Sequence, residues 1–550
     1  MKRNISIYIF AAAFAVSVPS MAVAQNLDPT VEVNKTYEGK LIEVHKPSIE
    51  MAVPDSVLRF DLDFDYSVFA NPYKGAYEFR PYMTRMKPAS ESNGPSSFYL
   101  KAGAGYTLHP VFDVLWSPEL KRSLSIDVYG QHRSYVGPYR ALQMDAPWNG
   151  HDLLSNAGVD FGYDWKRAAL DFGASYYGIV TDDYLMKRAY NALDAYLAVK
   201  SKTLWKESFV YDISLAYRYA ADRSPVSLSE QNILFESSFG PDMRRRAKVS
   251  FDVDAELASY SGAFSQTLGR FCLVPRYVLD RNRLRLDVGL RIEASMVRGG
   301  SGRTGQIVYP DIRLDLSVIQ DAMKLYVDIA GGESLNTYSS LLASNHHVNP
   351  GYAPGDGYAS FLQSDIERVN ARVGIEGRVT SFFSYNLRGG YVNGGRGLFD
   401  AVVRASDGKY MPAISYASYQ RGYAAVDWDL NVQSFRFDGT VMYDRLWGVK
   451  NAGEGLVVPS ALSGDVSVAY NWKKRIYVGA DCGFATSRST GLEDVVRPAF
   501  ADLGINAEYV MNRMVSFWAR GGNLLNMEIQ RNVLFAEKGI NFTAGICLNF

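Results

Sequence analysis

Six histidines and three cysteines are the side chains of this 550-residue chain best suited to metal binding or nucleophilic chemistry: His45, His109, His132, His151, His346, His347, Cys272, Cys482 and Cys547. Only His346 and His347 are adjacent. Two neighbouring imidazoles can share a metal, but a closed site needs further ligands at short spacing, and Asp356 is the nearest acid. The pair therefore reads as a solvated loop pair. His132 and His151 flank a segment holding Ser134 and Asp145, the residue types of a hydrolase, yet spacing alone does not converge a base on a nucleophile. The cysteines are odd in number and far apart, which fits neither a disulfide framework nor a thiolate zinc site. Gly103-Ala104-Gly105 and Gly299-Gly300-Ser301-Gly302 lack the Lys-Ser/Thr ending of a phosphate loop. The expectation is no enzyme, no catalytic or metal-ligating residue, and no cofactor.

The elements that hold these residues must be read from patterning. Lys2 and Arg3 precede an apolar run from Ile5 to Val18, and Ala22-Val23-Ala24 offers a signal-peptidase site, so residues 1–24 read as a cleaved export signal. Beyond it no apolar stretch approaches the roughly 18 residues of a membrane helix. Hydrophobic residues make up 47% of the chain and aromatics 13%, which suits a large soluble β-protein or a membrane barrel equally. With 58 basic and 58 acidic residues the net charge is zero, and neither nucleic acid nor another polyanion is an implied partner.

Alternation decides between those two classes. Leu284, Leu286, Val288, Leu290 and Ile292 share one face of a strand while Arg283, Arg285, Asp287, Arg291 and Glu293 share the other. Segments 248–257, 311–318 and 368–376 repeat the pattern at about ten residues each, longer than the roughly 5–6 of a soluble strand and enough for a tilted strand to cross a bilayer. Twenty-two such segments run from Phe98 to Phe550, with 18–22 as the range. Even-numbered gaps, such as Asp280–Asn282 and Asn471–Lys474, are short. Odd ones include Tyr135–His151, Ser334–Ser364, Gly394–Pro412 and Met527–Gly539 and are long, the parity of periplasmic turns and external loops. Pro275 cannot donate to a ladder and predicts a bulge.

The fold expected is all-β: a transmembrane antiparallel up-and-down barrel over residues 97–550, preceded by a periplasmic or lumenal segment, 25–96. In hydrocarbon each unpaired backbone group costs several kcal/mol, so the last strand, Ile540–Phe550, must pair with the first, Phe98–Tyr106. Trp116, Tyr129, Trp165, Trp205, Trp428, Trp447, Trp472 and Trp518 suit interfacial girdles, and Cys547 falls on the lumenal register. The mixed charges Arg283, Arg285, Asp287, Arg291, Arg313, Asp315, Arg372 and Glu376 imply a wet or protein-filled lumen whose charges pair across strands.

The final alternation, Ile540 to Phe550 with a terminal aromatic, resembles the signal recognised by the outer-membrane assembly machinery. Ala507-Glu508-Tyr509-Val510-Met511-Asn512-Arg513-Met514, then Asn523-Leu524-Leu525-Asn526, then the ending Gly545 to Phe550, resemble the end of a TonB-dependent receptor barrel. The resemblance implies a cell outer-membrane location and solute transport, with external loops 334–364 and 394–412 as the chief binding elements. That family carries a plug of well over a hundred residues behind a TonB-binding motif, whereas 72 residues, 25–96, precede the first strand here and show no such motif. Expected partners are outer-membrane lipid, the assembly machinery through the strand ending at Phe550, and a periplasmic or outer-membrane protein. The alternative is a non-transporting barrel subunit of an assembly or secretion complex.

Overall fold

The computed structural model describes residues 97–550 apart from 107, 121–122, 203–208, 244–246, 299–307, 320–321, 350–361, 454 and 493–494, and apart from the side chains of 242 and 243. The export signal, residues 25–96, Trp205 and Gly299–Gly302 lie outside these residues. Twenty-two strands form one antiparallel sheet in which each strand pairs with its sequence neighbours. The sheet closes where Phe98–Tyr106 pairs with Asn541–Asn549, Tyr99 opposite Asn549 and Tyr106 opposite Phe542. The expected count and the expected closing pair are both observed.

The faces follow the alternation. Val288 and Leu290 are 39% and 46% exposed on the outer wall, whereas Asp287 and Glu293 are 8% and 2% exposed on the inner one. An apolar exterior on a sheet without free edges is the solution for hydrocarbon, where loose N–H and C=O groups have no water to meet.

Several particulars differ from expectation. No bulge forms at Pro275: its strand, Gln266–Arg281, keeps register, with Pro275 opposite Phe251, and toward Leu284–Arg298 the pairing skips Val274 and Pro275 and resumes at Arg276 in the same register. Trp518 points inward, 9% exposed, because its neighbour Phe517 takes the lipid face at 47%. Tyr129 also faces the lumen, lying against Gly158. The gap Gly394–Pro412 is mostly strand: Phe383–Arg404 and Tyr410–Val432 run 22 and 23 residues, leaving 405–409 as the connection.

Wall height is therefore uneven. At the closing seam the strands are 9, 6, 8 and 9 residues long, at or below the roughly 9–11 residues of a tilted crossing. Close packing there requires glycine. A Cβ on Gly545 would lie 2.0 Å from the Ala102 carbonyl oxygen. Gly545→Val should block closure, and the shift in gel mobility between unheated and boiled outer-membrane samples should disappear. A retained shift would mean that the seam tolerates the branch.

Candidate functional site: the closed outer mouth

The tall hairpin does not stand free above the membrane. A register shift between Gly394 and Gly397 interrupts its pairing. At this point Cβ atoms on either glycine would lie 2.1 and 2.3 Å from the Tyr419 ring. An irregularity of this kind bends the ladder. Beyond the bend both faces of the hairpin are covered, with Leu398, Phe399, Ala401 and Val402 all at or below 9% exposure. One face meets an inner loop through Leu398 and Ile414. Farther along that same face Val402 packs with Val457, Val495, Val533, Leu534 and Phe535 from three further external loops, and on the opposite face Phe399 and Ala417 pack with Leu456.

The hairpin tip reaches Gln143, in the loop between Leu124–Tyr139 and Trp148–Asp164. Tyr410 N–H donates to Gln143 Oε1 at 2.7 Å, and Gln143 Nε2 donates to the Tyr410 carbonyl at 2.8 Å. Those strands are third and fourth in the ring of twenty-two, and the hairpin strands are fifteenth and sixteenth. The hairpin thus arches across the mouth and is clasped on the opposite wall.

Beneath the arch, the loop after strand Met323–Leu335 turns inward and forms a helix, Tyr338–Ser344. Thr337 caps it, its hydroxyl accepting from Ser340 N–H at 3.2 Å, which satisfies one of the free amides of a helix start. Tyr338, Leu341 and Leu342 are at most 2% exposed and pack on Ile179, Tyr190, Leu228, Tyr260 and Leu268 of the wall. Buried polar bonds fix the register. Glu230 accepts from Ser339 N–H and Oγ at 2.9 and 2.8 Å. Arg188 pairs with Asp222, donates to Tyr338 Oη at 2.7 Å and also donates to the Val348 carbonyl.

His346 and His347 follow this helix, and here the solvated-pair expectation is corrected. The rings lie 4.0 Å apart, and His347 stacks on Phe535 at 3.7 Å. His347 Nδ1 is 3.0 Å from Asp183 Oδ2, and His346 Nε2 is 3.6 Å from Asp152 Oδ2. The loop carries the pair into the mouth because its apolar residues bury there. Among the described residues no group of three or more His, Cys, Asp or Glu is arranged to hold a metal ion.

Burial, reinforced by the neighbouring His346, holds His347 down at about 4, against the pull of Asp183 and Asp152. A depressed imidazole favours the packed state while neutral, so this contribution is full above about pH 6.5 and is lost as pH falls toward 4. Protease cleavage within 336–349 should therefore accelerate over that window, and His347→Phe should flatten the profile. An acid acceleration that persists in the variant would assign the effect to other groups.

Elsewhere in the mouth, Lys538 Nζ lies 2.8 Å from His109 Nε2. Burial lowers both groups, His109 to about 4 and Lys538 to about 8, so a neutral imidazole accepts from the ammonium. His132 sits between Ser155 and Ser134 at 2.9 and 3.1 Å. It lies on the outward register shared with Leu124 and Val136, away from the lumen, and no carboxylate reaches its ring in these contacts. Asp145 is exposed in the loop beyond. The structure does not bring these residues together as a triad.

The lumenal charges do pair. Arg372 meets Asp328 directly across the ladder, and Lys324 meets Glu376 at 2.8 Å. Arg276 reaches Asp252, Asp287 and Asp311 at 3.2, 3.4 and 2.9 Å. Arg313 meets Asp315 at 3.1 Å, and Arg291 approaches Glu293 at 3.6 Å. Cys547 faces inward as expected, its Sγ 3.4 Å from Tyr99 Oη. The arch, the Gln143 clasp and the Arg188–Asp222 anchor had no signal in the sequence beyond loop length, since each joins residues over 30 to 260 positions apart.

No family model matches the chain, and no curated protein matches it by sequence. Among solved structures, the copper transporter OprC is similar at TM-score 0.62 and 12% identity, over 83% of this chain and 80% of that one. The FrpB iron transporter from Neisseria meningitidis is similar at 0.62 and 9%, over 82% and 81%. The siderophore receptor PirA from Acinetobacter baumannii is similar at 0.59 and 11%, over 82% and 80%. The likeness runs along the whole wall, and the chain has the fold of these transporter and receptor structures, a closed 22-stranded barrel.

Proposed function

We propose that this chain is an outer-membrane transport protein of the TonB-dependent-receptor kind, which admits a solute through its external mouth and passes it along the polar lumen. One observation carries the reading: a wide, charge-lined barrel is closed at the outer mouth by its own bent hairpin and inner loop, an arrangement that controls entry. Residues 25–96 are proposed to serve in place of a complete plug. Metal chelates are the first solutes to assay, because the similar structures are named for copper, iron and siderophores. External loops 334–364 and 394–412 are proposed to bind the solute at this entrance.

Planar-bilayer recording of the purified full chain tests this reading. Discrete conductance steps that a bound solute reduces are expected. A silent bilayer together with stably co-purifying proteins would replace it with the second reading, a non-transporting subunit of an assembly or secretion complex.

A further inference from the structure

The zero net charge of the chain conceals a sorted one. Strand parity places the short turns on the periplasmic side, and four of these turns carry exposed basic residues in or beside them. One holds Lys473, Lys474 and Arg475, and another holds Arg281 and Arg283 at its edges. Lys166 and Arg378 mark two more. All seven side chains are exposed, and none forms an ion pair among the described residues. Among the described residues, Glu119, Asp164 and Asp280 are exposed acids at this level, and Asp164 is paired with Lys202 at 2.7 Å.

Two further observations bear on what these charges meet. The four turns fall between wall strands 4 and 5, 10 and 11, 14 and 15, and 18 and 19 of twenty-two. They follow much of the circumference and form no single patch. Large aromatics accompany them at the same height: Trp165 beside Lys166, Phe382 near Arg378 and Trp472 beside Lys473, 38%, 43% and 51% exposed. Lys473 Nζ lies 5.5 Å from the Trp472 ring centre. Rings of amphipathic aromatics edged by cations occur where a protein meets lipid headgroups.

The turn at 472–475 adds a backbone argument. Arg475 N–H donates to the Trp472 carbonyl at 3.1 Å, and the two central residues, Lys473 and Lys474, have φ of 49° and 60°. That left-handed pair favours Asn-Gly and strains a lysine. The charges stand there at a conformational cost.

We infer that the periplasmic rim is a binding surface for anionic phospholipid headgroups. Lysine and arginine at the tips contact phosphate, while the aromatic rings settle among the glycerol groups. A soluble acidic protein would need its contacts gathered on one side, and the circumferential spacing favours lipid.

The test uses the full chain reconstituted in bilayers of phosphatidylcholine with one-fifth spin-labelled phosphatidylglycerol, compared with spin-labelled phosphatidylcholine. Phosphatidylglycerol is expected to be enriched several-fold in the motionally restricted shell at low salt, and the enrichment should fall as salt screens the charges. Replacing all seven residues with Gln should bring the two lipids to parity. Should that variant fail to fold, Lys473→Asn with Lys474→Gly supplies the residues the turn prefers, keeps the hairpin, and should still lower the enrichment. Equal restriction of both lipids in the wild type would overturn the inference. So would an unchanged shell in a folded variant. Capture of soluble polyglutamate by the wild type alone, with no lipid preference, would reassign the rim to an acidic macromolecule. None of these outcomes depends on whether the barrel transports.

Discussion

Excising residues 398–416 should turn a gated mouth into an open one. Gly397 and Ala417 face each other in the ladder, so an Asn-Gly link between them makes a two-residue turn that leaves the wall below the bend intact. The excision removes the Leu398 and Ile414 contacts with the inner loop, the Val402 contacts with three other loops, and the clasp to Gln143. Conductance in planar bilayers should rise well above that of the full chain, and cells should become sensitive to large antibiotics that the outer membrane excludes. A milder variant grades the effect. Gln143→Ala deletes two hydrogen bonds of about 0.5–1.5 kcal/mol each, which corresponds to a gain in the open population of roughly fivefold to 150-fold. Unchanged conductance in the excised barrel would mean that the seal lies elsewhere, and the arch would lose its assigned role.

Arg188→Met is expected to release the inner loop. Both side chains of the Arg188–Asp222 pair are fully buried, and removing one partner strands the other charge at a cost of about 3–5 kcal/mol. The variant also loses the bonds to Tyr338 and to the Val348 carbonyl. The wall should survive, because its ladders do not involve these groups, so the gel shift on heating should persist. Protease access to 336–349 should rise by roughly two to nearly four orders of magnitude. Adding Asp222→Leu should restore most of the protection, since replacing a buried pair by apolar groups is often close to neutral. A single variant as resistant as the parent would show that apolar packing alone holds the helix.

The wall was legible because its rule is local. In a strand between lipid and a wet interior, each residue declares its side by its neighbours, and Leu284 to Glu293 do so without reference to the rest of the chain. Closure followed from the cost of unpaired backbone, and the pairing of Phe98–Tyr106 with Asn541–Asn549 is what that cost demands. Trp518 and Tyr129 obey the same rule: the register of their neighbours turns both rings inward, against the interfacial preference of such side chains. Residues near the mouth were not legible. His346 and His347 looked solvated because nothing nearby in sequence could bury them; Asp152, Asp183 and Phe535 come from two other loops and a strand.

Alternation, loop parity and the scarcity of clustered ligands are properties of short windows, and they were enough to specify a closed transmembrane barrel of about 22 strands. Which loops fold inward, which strand overshoots the membrane and bends, and which buried charge meets which partner depend on contacts between residues brought together only by closing the ring. Charge shows the same division. Counted along the chain it cancels, 58 against 58, and the barrel alone sorts it, by carrying alternate connections to opposite sides of a membrane.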